Sequence, residues 1–487
     1  MNKKLLATSL LSACAFAGLA VGGTFALFTS TAEANVAIHT ATVKYEATVL
    51  SDSLKLYSMG VAQSGTTFEN GGTAALSGND LTLNNVTPGD KAEFEIKIVN
   101  TSTVKTAYRV VITNESGESN PFTLSGEAAS WSRLDANTNP SANVKIAVEL
   151  PASVGDEYQG KSYALKITVE AVQANGIASV ADADDLNSAL KEGKIAELTD
   201  DVVLSSNADL VEAAAQIDLG GHTLTVADDA TTLLAGNKLT ISNGVIATNS
   251  TKTEKHVFSL DGGELDLNGV TLCKVDDGEK TSSVPFVVAQ GVLNITDSVI
   301  TTNHTYVIAQ NNTDAYNATT EINITNSKIA VEDNDEYDDA AILINSDEQV
   351  NLNIKNSVVS GNRQALLLRT GKAVAKNSSF ISDGKFFNTT YGQSIATAGN
   401  YMSGNWKSGN EVPAAAIVVG DTNAANYNLP ASLELENCTI KAENGAKKAV
   451  IASDGTYAAT LKADAASLAE DDVTKIGDTT KITVTIA

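Results

Sequence analysis

The feature that most limits what this chain can fold into is an octet that recurs through its second half. Two alternating apolar residues run into an Asn, Asp or Gly, then a small residue, then one more apolar pair. It reads Leu239-Thr-Ile241-Ser-Asn243-Gly-Val-Ile246 and returns at 265–272, 293–300, 322–329, 352–359 and 433–440. The second apolar residue falls at 241, 267, 295, 324, 354 and 435, so the steps are 26, 28, 29 and 30 and then 81. A period in that range marks a solenoid. Within an octet the alternate apolar residues point inward, and the chain bends at the Asn or Asp. Asn and Gly tolerate the left-handed backbone of such a bend, and a stacked Asn can bond the Asn of the next coil.

Between octets lies a further apolar strand, at 257–260, 286–288, 306–308, 341–344, 366–368 and 416–419. Three short strands per turn is the arithmetic of a triangular parallel β-helix, and nine or ten coils make a rod on the order of 45 Å long. A leucine-rich repeat is the competing solenoid. It requires a helical segment in every repeat, and these inter-octet stretches are β-branched and Asn-rich. The step of 81 hides a degenerate coil, Ala373-Val-Ala-Lys-Asn377-Ser-Ser-Phe380, and then an insertion at about 385–427.

The whole chain has 487 residues, which predicts two domains after processing. Its net charge of -25 argues against nucleic acid and anionic membrane as partners. The expected class is all-β: a jelly-roll-like antiparallel β-sandwich followed by a right-handed parallel β-helix. Cys14 lies in the leader. Cys273 and Cys438 fall in equivalent regions of the repeat, several coils apart, and read as small buried fillers rather than a disulfide or metal pair.

Residues 1–26 read as a secretory signal peptide, with Lys3 and Lys4 before an apolar run. Cleavage after Ala26 competes with cleavage after Ala34. Leu11-Ser-Ala-Cys14 also spells a lipobox, and an uncleaved anchor is a further alternative. The mature protein is expected outside the cell, touching membrane only through the leader. Residues 27–176 alternate strictly in segments such as Phe94-Glu-Ile96-Lys-Ile98 and Val144-Lys-Ile146-Ala-Val148, the pattern of a sandwich with one buried face per strand. Pro88-Gly89-Asp90 is a turn between two of these strands.

A resemblance rests on Val21-Gly-Gly-Thr-Phe25-Ala-Leu-Phe28, on Leu83-Asn-Asn-Val-Thr-Pro88-Gly-Asp90-Lys, and on the Phe-bearing strand ending at Asn100. It continues at Tyr158-Gln-Gly160-Lys, Glu170-Ala171 and Asn175-Gly176. Together these resemble the camelysin and TasA family over about residues 15–176. The resemblance implies a protein secreted by a Gram-positive bacterium, with a jelly-roll domain that builds biofilm-matrix fibres. In such fibres the segment exposed by cleavage enters the next subunit as a donor strand. Here that segment is 27–43, with Leu27, Phe28, Val36, Ile38 and Val43 as its apolar residues. Pairing of the same segment within its own subunit is equally open. Some relatives carry a metalloprotease label, but the chain has no His-Glu-x-x-His and its four histidines, His39, His222, His256 and His304, are scattered.

Acidic residues at 182–185, Leu186 and Leu190, and Gly193 predict a short helix within 177–195, covering the open end of a solenoid at 196–487. Ile217-Asp-Leu219-Gly-Gly221-His-Thr-Leu224-Thr-Val226 resembles the opening of pectate-lyase-like β-helices. The insertion collects Phe386, Phe387, Tyr391, Tyr401, Trp406 and Tyr427 in a chain only 5% aromatic. These rings are either a surface for a polysaccharide or protein partner or a loop packed on the rod's flank. Asp333, Asp335, Asp338 and Asp339 are the one candidate for Ca²⁺, against the reading of a solvated turn; no other cofactor is implied. Arg363 and Arg369 flank an apolar strand and read as plain surface charge or as part of a catalytic groove. The expected function is a non-enzymatic one: a self-polymerising secreted fibre protein whose β-helix is an adhesive rod. A monomeric adhesin or carbohydrate-binding protein is one alternative, and a polysaccharide lyase or hydrolase is another. A last strand at 481–486 is expected to cap the rod, and no wall-sorting motif follows it.

Overall fold

The computed structural model describes residues 29–33, 44–102, 104–114, 122–126, 131–136, 141–152, 160–205, 210, 214–226, 232–248, 256–274, 284–302, 306–312, 319–332, 340–346, 349–384, 414–422 and 429–487. The chain is all-β, an antiparallel jelly-roll-like sandwich followed by a parallel β-helix. It divides into two compact units. One holds the sandwich together with the segment through Thr199 and the strand Ala214–Asp218; the other holds the rest of the solenoid from Asp200 on.

The sandwich strands are β1 (Thr29–Glu33), β2 (Tyr45–Ser58), β3 (Val61–Ala62), β4 (Thr73–Ser77), β5 (Asp80–Val86) and β6 (Asp90–Asn100). They continue as β7 (Thr106–Asn114), β8 (Thr123–Gly126), β9 (Ser132–Leu134), β10 (Ser141–Glu149) and β11 (Lys161–Gln173). One sheet runs β4-β5-β11-β7-β9 with β1 added on β11, and the other runs β3-β2-β6-β10-β8. The strict alternation in β6 buries Phe94, Ile96 and Ile98, which meet Leu81, Leu83, Tyr163, Leu165 and Ile167 from the opposite sheet. At the Pro88 turn Gly89 has φ 91, and the buried Asp90 accepts from the Thr87 amide at 2.8 Å and the Ser58 hydroxyl at 2.7 Å. That carboxylate locks the corner between β5 and β6.

The same unit carries the first parallel pair, β12 (Ile177–Val180) with β13 (Ile195–Leu198), in register Ile177↔Ile195. The helix Ala183–Lys191 joins them, capped by Asp182 accepting from the Asp185 amide at 2.9 Å, with Leu186, Ala189 and Leu190 buried. Parallel pairing thus begins ahead of the helix, which is a crossover between two strands rather than a lid placed before the first one. Ile177 is drawn into the ladder because Ala107, Trp131 and Val172 cover it on one side and Ile195 on the other.

In the second unit the octets stack in register: Ile241↔Leu267, Leu267↔Ile295, Ile295↔Ile324 and Ile324↔Ile354. The degenerate coil takes its place between Ile354 and Leu435 through Ala375, and Ala463 and Ile486 extend the column. A second ladder stacks the inter-octet strands, Phe258↔Phe286↔Ile308↔Ile342↔Leu366↔Ile417. The bend residues Asn243, Asp297, Asn326, Asn356, Asn377 and Asn437 all have φ between 49 and 60, and Gly269 takes the one remaining bend at φ 64. Asn326 donates to Asp297 at 3.0 Å, Asn356 to Asn326 at 3.0 Å, Asn377 to Asn356 at 3.3 Å and Asn437 to Asn377 at 2.8 Å.

The small residue after each bend forms a second ladder beneath the first. The amides of Ser298, Ser327 and Ser357 donate to the hydroxyls of Ser327, Ser357 and Ser378 at 3.0, 3.0 and 3.1 Å. Each hydroxyl in turn donates to the carbonyl two residues back, as from Ser327 to Thr325 at 2.7 Å. Cys438 holds this position in its own rung, buried, with its thiol 3.5 Å from the Glu436 carbonyl and its pKa pushed up by burial. The Cys273 side chain lies outside the described residues. Its strand is five ladder steps from that of Cys438, about 24 Å at the spacing between strands, so the two do not bridge.

Asn356 is fully buried and shares two ladder bonds, so Asn356→Ala strains a left-handed position and orphans its neighbours. The expected loss is about 2–4 kcal/mol, read as a lower urea midpoint, with Asn356→Gly losing less because glycine keeps the bend. Equal losses for the two variants would show that backbone conformation plays no part.

Candidate assembly edge and buried charge clusters

β11 is thirteen residues long. β5 pairs only with its first half, from Lys161↔Val86 to Lys166↔Asp80. On the opposite edge β7 runs alongside, and the Ala174 amide donates to the Lys105 carbonyl at 3.1 Å just before its start. The second half of the β5 edge is filled by β1, antiparallel, from Thr29↔Val172 to Glu33↔Thr168. Without β1 this stretch would present unpaired peptide groups, a template for any strand that reaches it. β1 therefore lies inside the segment 27–43 and pairs with its own chain. Leu27, Phe28, Val36, Ile38 and Val43, the residues picked from sequence, lie outside the described residues on either side of it.

On the outer side of β7 and β11 sits a partly buried ionic cluster. Arg109 on β7 reaches Glu170 on β11 at 2.6 Å and Asp218 on the parallel strand Ala214–Asp218 at 2.8 Å, and its guanidinium lies 4.9 Å from the Trp131 ring. Asp218 is 1% exposed. Burial opposes the charge on Arg109, but Glu170 and Asp218 outweigh it and raise the pKa, so the guanidinium stays protonated. Glu197 on β13 accepts from the Trp131 amide at 3.0 Å, and burial raises its pKa, with Asp218 adding to the rise. One guanidinium thus ties two sandwich strands to the first parallel strands. A buried pair of this kind costs desolvation, and removing one partner leaves the other charge stranded.

Sequence reading missed this cluster, although Trp131, one of only two tryptophans, was a visible signal. The aromatic candidates Phe386, Phe387, Tyr391, Tyr401, Trp406 and Tyr427 lie outside the described residues, as do Asp333, Asp335, Asp338 and Asp339. Among the described residues no group of three or more His, Cys, Asp or Glu side chains could hold a metal ion, and no helix is long and apolar enough to cross a membrane. Arg363 and Arg369 depart from the surface-charge expectation: they are 1% and 6% exposed. Arg369 pairs with the equally buried Asp421 at 2.9 Å on the neighbouring strand of the stack. Both strands are buried along their whole length, and Arg369 and Asp421 line a small cavity with Thr370, Gly420, Leu429 and Tyr457.

The flat outer face of the octet ladder is polar and self-satisfied. Lys238 meets Glu264 and Asp266 at 2.6 and 2.8 Å, and an amide chain runs from Asn353 to Asn323, to Asn294, to Asp266 at 2.8, 2.9 and 2.7 Å. The fold and these sites together define an all-β chain of sandwich and parallel β-helix in which β1 occupies part of one edge of β11. No protein-family model, curated protein or solved structure matches it.

The raised pKa of Glu197 has a sign consequence. The folded state holds that proton more tightly than the unfolded chain, so the stability it contributes is full below about pH 4.5 and is lost as pH rises through the raised value. Glu197→Gln should flatten that decline in a series of urea midpoints against pH. Parallel profiles for the two proteins would contradict the assignment.

Proposed function

We propose that this is a secreted structural protein whose sandwich joins to further copies by strand exchange at β11, building extracellular matrix fibres from which the β-helix projects as an adhesive rod. The observation that carries this reading is the position of β1, a five-residue strand on half of an edge, near the start of the chain and bound to β11 alone among the described strands. The resemblance of residues 15–176 to the camelysin and TasA family supports the same reading. A strand added along one edge is held by main-chain bonds that any chain can supply, so the same strand can be exchanged between copies. In this reading residues 27–43 leave their own β11 and enter that of the next copy. The rod's polysaccharide or protein ligand belongs to surfaces such as the aromatic insertion.

The cis pairing of β1 favours a second reading, a monomeric surface adhesin in which the segment simply completes its own sandwich. Electron microscopy and sedimentation of the mature protein, with and without residues 27–43, separate the two. Fibre formation requires the full chain to polymerise with concentration, the truncated chain to stay short, and a synthetic 27–43 peptide to bind the truncated chain and restore its stability. A full-length protein that stays monomeric at high concentration, with truncation changing only stability, would establish the adhesin reading instead.

A further inference from the structure

The strand Ile482–Ile486 ends the octet ladder and differs from the rungs stacked beneath it. Val484 stacks on Leu461, and the column beneath it, through Leu433, Ala373 and Leu352 to Leu239, is at most 1% exposed. Val484, Ile482 and Ile486 are only half-buried. Among the described residues the rung has a paired strand on one side alone, Ala459–Ala463. The Ala487 amide donates to the Ala463 carbonyl at 3.1 Å, and the Ala487 carbonyl accepts from the Ala465 amide at 3.0 Å. Peptide groups alternate sides along a strand, so those of Thr483 and Thr485 also face inward to the stack. Those of Val484 and Ile486 and the Ile482 carbonyl face the open edge, while the Ile482 amide donates to the Thr479 carbonyl.

The sequence of this strand, Ile482-Thr-Val-Thr-Ile486, reads the same in both directions. An antiparallel partner of identical sequence centred on Val484 therefore places Ile482 against Ile486, Thr483 against Thr485 and Val484 against Val484. These residues fall at the hydrogen-bonded positions of that pairing: the two Val484 residues exchange both bonds, and each Ile486 amide meets the Ile482 carbonyl of the other copy. A two-fold axis perpendicular to this face keeps the half-buried Val and Ile on the core side of both copies and the threonines on the solvent side. Two-fold contacts of this kind are self-complementary by construction.

We infer that the open edge at Ile482–Ile486 is a homotypic docking site, at which two copies of this chain join tail to tail through antiparallel pairing of this strand. The contact is independent of β1. Combined with strand exchange in the sandwich it would link one fibre to another, and without it the chain forms a discrete dimer.

The test is a register-specific disulfide in the full chain. Thr483 and the partner's Thr485 would form a pair with Cα atoms about 4.5 Å apart, within disulfide reach. Oxidation should convert the double variant Thr483→Cys with Thr485→Cys to a covalent species of twice the chain mass, while either single variant cross-links far less. Val484→Pro removes one outward amide and no bond of the stack. It should abolish the dimer seen in sedimentation while leaving the circular dichroism and urea midpoint of the rod in place. A chain lacking residues 27–43 should still dimerise here, which separates this contact from the strand exchange proposed for the sandwich. No doubled species from the double variant, or equal linking by the single variants, would overturn the inference, as would a dimer indifferent to Val484→Pro.

Discussion

The structure depends on one recurring constraint, the left-handed bend after each octet strand. At this point the backbone must turn a corner of the coil with its polar groups buried between rungs. Asn and Gly adopt the required φ at low cost, and Asn adds a side-chain amide that donates to the rung before and accepts from the rung after. The serine that follows repeats the arrangement one layer inward, offering its hydroxyl to the previous rung's amide. These two ladders hold register against slippage. A displaced rung would leave buried amides unpaired at every bend, at about 1–3 kcal/mol each, whereas the aliphatic column alone tolerates sliding because one Leu or Ile fits nearly as well as another.

A second physical device serves the other unit. Arg109 holds Glu170 of the sandwich and Asp218 of the first parallel strands at once, with the indole of Trp131 over it. Buried charge is a costly way to fasten two elements, and its effect is specificity: only one docking of those strands satisfies both carboxylates. The Ala107, Trp131, Val172, Ile177 and Ile195 cluster supplies the apolar contact around it. The sandwich thus covers the edge of the first parallel strands, a role that the helix Ala183–Lys191 was expected to fill.

Much of the fold was legible in the residues, for a definite reason. The octet is repeated, so one pattern is written many times, and even the coil in which Ala373 and Ala375 replace the usual Leu and Ile kept Asn377 and Ser378 and could be placed. The sandwich strands were readable wherever apolar residues alternate, as in β6. β1 was hidden because Thr29-Ser-Thr-Ala-Glu33 has no apolar alternation and is held by main-chain bonds that leave no trace in side chains. Arg109 and Asp218 were hidden because they meet 109 positions apart, where local pattern carries no information. Arg369 was misjudged for a related reason, since its buried position at a strand end depends on a partner, Asp421, that lies in another rung. The last strand shows the limit from the other side: Ile482-Thr-Val-Thr-Ile486 alternates like any rung, and only the stack reveals that nothing described lies over it.

If the bend ladders are what fix the rungs, their amides must be as well protected as those of the strands they connect. Native-state hydrogen exchange on the Ser298, Ser327 and Ser357 amides measures this directly. Protection equal to that of Ile295, Ile324 and Ile354 in the flanking strands is the predicted result. Exchange at these three amides on the timescale of exposed turns, while the strands stay protected, would show that the bends follow the stacking instead of imposing it.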